Sequence, residues 1–172
     1  MHPQRIERHL EAMAVGEPAA SMSNWVRMDI EGHAVLRKGG GYLHRNPAST
    51  FIRRDVFDRV GLFDSVRVGA DSEMLWRMRH ALGLNSIAEI EACLGLGLHH
   101  ENSLTQSGVT AFDEFRFSPV RLDYAEAWGS WHIRQLNSGR PLHIGFPLLD
   151  RGFDAPEHIV VRDRPTEAIN AA

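Results

Sequence analysis

The sequence predicts a mixed α/β class, α/β or α+β, on three observations. Residues 90–98 alternate Ile90, Ala92, Leu94, Leu96 and Leu98 with Glu91, Cys93, Gly95 and Gly97, the two-residue period of a strand. Residues 71–82 instead repeat Met74, Leu75, Met78, Ala81 and Leu82 at helical spacing, and Gly83 stops the pattern. Stretches of both kinds alternate along a chain of 172 residues, one domain's worth and enough to bury a sizeable core.

In chain order, residues 3–14 read as a helix, with Pro3 in the first turn and Ile6, Leu10 and Met13 as a stripe. Residues 19–28 alternate as a strand, and Glu31-Gly32 turns into a second short strand over residues 33–38. Gly39-Gly40-Gly41 is a connector or a place of close backbone approach; without a following Lys-Ser/Thr it is no P-loop. Asn46-Pro47 breaks structure ahead of a short buried strand over residues 49–52. Asp55 is a candidate N-cap for a helix to Val60, closed by Gly61. The glycines of the 90–98 strand imply close packing against one of its faces. Residues 99–108 are polar loop, and Ser118-Pro119 starts a helix running near to Gly139 with Val120, Tyr124, Ala127, Trp128 and Trp131 as its buried stripe. The expected division is a folded unit over residues 1–139 and an irregular tail over residues 140–172, rich in Pro, Gly and charge.

Composition narrows the function. A net charge of −3 provides no global field for nucleic acid, and none is expected as a partner. The one cysteine, Cys93, excludes an intrachain disulfide and any CxxC motif. The N-terminal residues lack the apolar core of a signal peptide, and no window approaches the roughly 18 apolar residues of a membrane span. These features point to the cytoplasm, with any membrane contact peripheral at its inner face.

Chemistry concentrates around residues 61–77. Asp71 and Glu73 fall at the start of a helix, where the dipole favours carboxylates and holds them at a fixed angle. Asp71 reads either as an N-cap or as a general base, and Glu73–Arg77 as an i,i+4 ion pair. Trp76 offers a stacking face for a ligand or packs into the core. Arg45, Arg53, Arg54, Arg59 and Arg67 are contacts for an anionic group or a solvated basic face. His99 and His100 are candidate metal ligands or a pair without metal; His100-Glu101 lacks the later histidine of a zincin. Ser103 and Thr105 cap their loop or bind phosphate.

Three runs carry a resemblance. Ser49-Thr-Phe-Ile-Arg-Arg54 with the turn Gly61-Leu-Phe-Asp64, then Gly69-Ala-Asp-Ser-Glu-Met-Leu-Trp-Arg77, then Leu94-Gly-Leu-Gly-Leu-His-His-Glu-Asn-Ser-Leu-Thr105, together resemble the second half of family 2 glycosyltransferases over roughly residues 1–110. The resemblance implies part of a GT-A fold, a three-layer α/β sandwich lacking the N-terminal nucleotide-binding strands. It implies transfer of a sugar from a nucleotide-sugar donor to a hydroxyl of a carbohydrate or glycolipid acceptor, usually with Mn²⁺ or Mg²⁺. Asp71 matches the catalytic base of inverting members, with Glu73 shaping the acceptor pocket or orienting it. Ser49, Arg53, Arg54, Trp76, Arg77 and Ser103 are the implied substrate contacts, and His99 and His100 the implied metal ligands. Residues 2–10 resemble the helix that follows the family's Asp-x-Asp motif; no such motif occurs in the sequence, so the chain is expected to begin just after it. The alternative expectation is a non-catalytic module that binds a glycan or a protein, or dimerises through an exposed sheet edge.

Overall fold

The computed structural model describes residues 1–36, 40–101, 103–113, 117–148 and 150–161. Its elements run α1 (Arg5–Ala14), β1 (Ala20–Met28), β2 (Leu43–Arg45), β3 (Phe51–Ile52), α2 (Arg54–Val60), α3 (Ala70–Leu82), β4 (Ile87–Leu98) and α4 (Pro119–Asn137). Short 3₁₀ turns occupy Pro47–Ser49 and Gly108–Thr110. The class is mixed α/β, as expected.

β1 is the axis of the sheet. Its whole length pairs in parallel with β4, while β2 and β3 pair with it antiparallel, through Asn24↔Arg45 to Val26↔Leu43 and through Ala20↔Ile52. A parallel neighbour requires a long crossover, and α2 and α3 supply it. Alternation along β1 then sorts the helices. Ala20 and Met22 join Val56 and Val60 of α2 with Met74, Leu75 and Met78 of α3 in one buried cluster. Ser21 points the other way, and its Oγ meets Nδ1 of the buried His9 on α1 at 2.7 Å. One helix therefore covers one face and two cover the other.

The expected strand over residues 33–38 is reduced to a single bridge, Met28↔Ala34, and its last two positions lie outside the described residues. The antiparallel partner is instead β2, reached after Gly40 and Gly41, both at positive φ with open space around them. They serve a turn, with no close approach. β4 begins three residues earlier than its alternation suggested. Two register shifts against β1, between Ser23 and Trp25, insert extra residues and reset its phase. Leu94 is consequently buried, whereas Leu96 and Leu98 are 66% and 55% exposed. The expected close packing on the strand's glycines is present: the Trp25 ring lies across Gly97.

α2 starts one residue before Asp55, with Arg53 at its N-cap, and Gly61 closes it at φ 78 by donating its N–H to Phe57 O at 2.8 Å. α3 begins at Ala70, so Asp71 is not its N-cap; Gly69 is. α4 buries Tyr124 and Trp131 as its stripe predicts, with Val120, Ala127 and Trp128 half-buried beside them. The segment from residue 140 has no helix or strand through its described part, yet that part packs into a core; residues 162–172 of the expected tail lie outside the described residues. Leu142, Ile144, Phe153 and Ile159 pack on Val68, Tyr124 and Trp131 as a second core cluster. Gly61↔Ile144 and Val66↔Val160 bridges stitch it to the loop after α2. No helix of the described residues is long and apolar enough to cross a membrane.

Candidate functional site

The first turn of α3 forms the floor of a cleft of about 530 Å³. Gly69 sets that turn. Its φ of 85 is open to glycine, and a Cβ there would press on the Tyr124 ring at about 3.0 Å. Asp71 follows, half-buried, facing the cleft with the partial positive charge of the helix start behind it. Its Oδ1 accepts the Ser72 N–H at 2.8 Å, and it makes no ion pair among the described residues. Phe63 and Arg67 come from the loop before α3, Leu104 and Thr105 from the loop after β4, and Arg121 from the first turn of α4. Three segments distant in sequence thus meet around one carboxylate.

Arg121 is held in place by its neighbours. Its Nε donates to Thr110 O at 2.7 Å and its Nη2 to Leu104 O at 3.0 Å, while the guanidinium lies 4.7 Å from the Phe112 ring centre. Burial pushes this guanidinium below its usual range, and the charge of Asp71 pushes it back up. The two opposite charges act on each other across the cleft without touching.

Beneath the cleft lies a buried polar network. Glu73 and Arg77 are both fully buried and paired at 3.0 Å, the i,i+4 contact that their spacing predicts. Arg77 Nη1 donates to the Val60 carbonyl and Nη2 to Leu62 O at 2.7 Å, so one guanidinium ties α3 to the end of α2. Burial lowers the Arg77 pKa and Glu73 offsets it. The second Glu73 oxygen meets His132 Nε2 of α4 at 3.0 Å. Facing a carboxylate, that nitrogen must donate; in neutral His132 the Nδ1 then accepts from His80 Nδ1, 3.2 Å away. Asp64 is held similarly: Tyr124 Oη donates to it at 2.8 Å and Arg151 Nε grips both oxygens at 2.8 and 2.9 Å. Burial first, then the Asp64 charge, pushes the Tyr124 hydroxyl far up.

Of the residues expected to act, Asp71 lines the cleft, and Ser103 stands just behind it with its Oγ 3.2 Å from Thr105 Oγ1. Glu73 and Arg77 sit below, with both Glu73 oxygens and both Arg77 terminal nitrogens engaged in the network. Ser49 is buried at the sheet, accepting the Ser23 N–H at 2.9 Å and donating to Asn46 O at 2.7 Å. Arg53 secures the end of α1, donating to Met13 O at 2.7 Å and Pro18 O at 2.9 Å. Arg54 is exposed on α2, away from the cleft. Trp76 is 42% exposed on the outer side of α3, tilted against His80 with the Arg79 guanidinium 5.4 Å from its ring centre. Of the five arginines noted in the sequence, Arg67 alone is among the described lining residues; Arg45 instead pairs with Glu89 at 2.6 Å.

His99 and His100 lie beyond β4 and do not line the cleft among the described residues. Burial, with Arg27 and His100 nearby, pushes His99 below the usual imidazole range, and its buried Nδ1 has no hydrogen-bond partner among the described residues. Among the described residues neither histidine joins two further His, Cys or carboxylate donors at coordinating separation. The grouping of three that does occur among the described residues is Asp29, Glu31 and His33, half-buried to exposed, with Asp29 already bonded to His33 through both oxygens. That grouping includes neither His99 nor His100 and stands apart from the residues described as lining the cleft.

Arg121, Tyr124, His132 and Arg151 carry much of this site and its support, and sequence reasoning assigned none of them a polar role. Tyr124 was visible as part of a buried stripe; the others had no signal, since the partners of His132 and Arg151 are 59 and 87 residues away and those of Arg121 are loop carbonyls 11 and 17 residues away. No protein-family model matches the chain, and no curated protein matches it.

Proposed function

We propose that this chain forms the acceptor side of a glycosyltransferase of the family 2, GT-A type, with Asp71 as the catalytic base. The observation that carries the reading is the meeting of Asp71, Thr105, Arg67 and Arg121 around one cleft. Helix–sheet–helix layering with a parallel β1–β4 pair is compatible with it. An acceptor hydroxyl seated in the cleft gives its proton to the Asp71 carboxylate as its oxygen bonds to the anomeric carbon of a nucleotide-sugar. The electron pair of the broken bond leaves with the nucleoside diphosphate, and configuration inverts. Mn²⁺ or Mg²⁺ is part of the family's chemistry, but no step here is routed through a cation. Glu73 acts as a support that fixes the α3 turn through Arg77 and His132.

The test is turnover of UDP- and GDP-sugars with saccharide acceptors and Mn²⁺, comparing the protein with Asp71→Asn. The expected result is a fall in kcat of about 10²–10⁴-fold with a small change in acceptor KM. Unchanged turnover in Asp71→Asn sinks the assignment. The second reading, a non-catalytic glycan- or protein-binding or dimerising module, is favoured by the side of β4 away from β1, where no strand pairs among the described residues. It expects saccharide binding or self-association with no transfer at all.

A further inference from the structure

The charges of the cleft say more about what enters it. Among its described lining residues, the charged ones are Asp64, Arg67, Asp71 and Arg121. Asp64 is already satisfied by Arg151 and Tyr124. Two guanidiniums then face one carboxylate, leaving one net positive charge. Arg67 makes no side-chain hydrogen bond or ion pair among the described residues. Arg121 spends donors on two neutral carbonyls, which position it without cancelling its charge. A guanidinium has five N–H donors, so three of those on Arg121, a cleft-lining residue, remain uncommitted among the described residues.

The reaction step sharpens the imbalance. When Asp71 accepts the proton of the attacking hydroxyl its charge vanishes, and the partly buried Arg121 loses the negative group that compensates it. A negative group on the bound acceptor would restore the balance at that moment. Exposed Phe63 and Leu104 flank these charges and offer apolar surface to the C–H face of a sugar ring. Resting on the reading of Asp71 as the base, we propose that the acceptor is itself an anion, a saccharide bearing phosphate or carboxylate, and that Arg121 and Arg67 select it. Guanidinium forks match both groups in two-point geometry, which an ammonium does not.

Calorimetric titration of the protein with glucose 6-phosphate, glucuronate and glucose tests this without needing turnover, and comparing the two charged sugars separates phosphate from carboxylate as the preferred group. The charged sugars are expected to bind at least about tenfold tighter than glucose. Arg67→Gln, at an exposed position, is expected to cut that preference several-fold. Arg121→Gln is expected to remove most of it, and Arg121→Lys to restore part, which also controls for loss of the loop that Arg121 braces. Asp71→Asn is expected to tighten binding of the charged sugars by removing a like charge. Equal binding of charged and neutral sugars, no binding of either charged sugar, or a preference untouched by Arg67→Gln and Arg121→Lys overturns the proposal. Charged-sugar preference without any transfer keeps the selection of an anionic sugar by Arg121 and Arg67 and sinks glycosyl transfer; transfer to neutral sugars without preference does the reverse.

Discussion

Glu73 and Arg77 differ from most i,i+4 pairs because neither touches water. An exposed pair of this spacing contributes a few tenths of a kcal/mol, whereas here each ion has lost its hydration and depends on the other. Spacing predicted the contact, but it gave no reason to expect burial. Burial follows from α3 lying over the end of α2, where the Val60 and Leu62 carbonyls need donors and Arg77 provides them. Glu73 further takes the His132 N–H, so one carboxylate joins α2, α3 and α4. Glu73→Gln leaves Arg77 as a buried cation without a counter-charge and is expected to cost about 3–5 kcal/mol in urea unfolding. A loss below about 1 kcal/mol would show that the carbonyls alone hold the guanidinium. Asp71, two residues earlier, makes no ion pair among the described residues and accepts only the Ser72 N–H at 2.8 Å, which leaves its carboxylate open to the cleft.

At the level of elements, boundaries and pairings diverge in an instructive way. α3 and α4 were legible because helical periodicity and their glycine stops are local. β2 was not, because a three-residue strand has no period to read and is defined by its partner β1. The phase of β4 failed for a similar reason: bulges are fixed by the opposing strand. Gly61 shows both sides. Its role as a helix stop was visible, but its contact with residue 144 was not. A Cβ on Gly61 would overlap the Ile144 carbonyl, and Leu62 N donates to that same oxygen at 2.8 Å. Gly61→Ala is therefore expected to cost about 2–4 kcal/mol, against about 1 kcal/mol for Gly16→Ala, where φ is also positive but nothing lies within 4 Å. Thermal melts of the two variants check this; equal costs would mean that the bridge to residue 144 does not hold in solution.

Across the whole molecule, two core clusters share the load, and α4 with the segment up to residue 160 builds the second. That segment shapes the site, since Arg151 holds Asp64 and Ile144 anchors the loop before α3. Three histidines spread through the molecule also give it a common pH dependence. Burial lowers the pKa of His9, aided by Arg5; of His80, aided by His132; and of His99, aided by Arg27 and His100. A depressed imidazole pKa means that the unfolded chain takes up protons before the folded one. Stability from these groups is then complete above the ordinary value of about 6.5 and falls as pH drops below it. Thermal melts at pH 7.5, 6 and 5 are expected to show a progressive fall in Tm, smaller in His9→Gln. A Tm that is flat or rises toward pH 5 would contradict this.

By itself the sequence determined the mixed α/β class, the extent of α1, α3 and α4, the Glu73–Arg77 contact and Asp71 as the residue to watch, because each rests on short-range spacing. Tertiary structure decided the rest. It buried Ser49, Glu73 and Arg77 away from the cleft, placed His99 and His100 apart from it, drew the described part of the expected tail into a core and brought Arg121 to face Asp71. Those outcomes depend on which segments share a surface, and residues 50 apart in the chain carry no local pattern that records it.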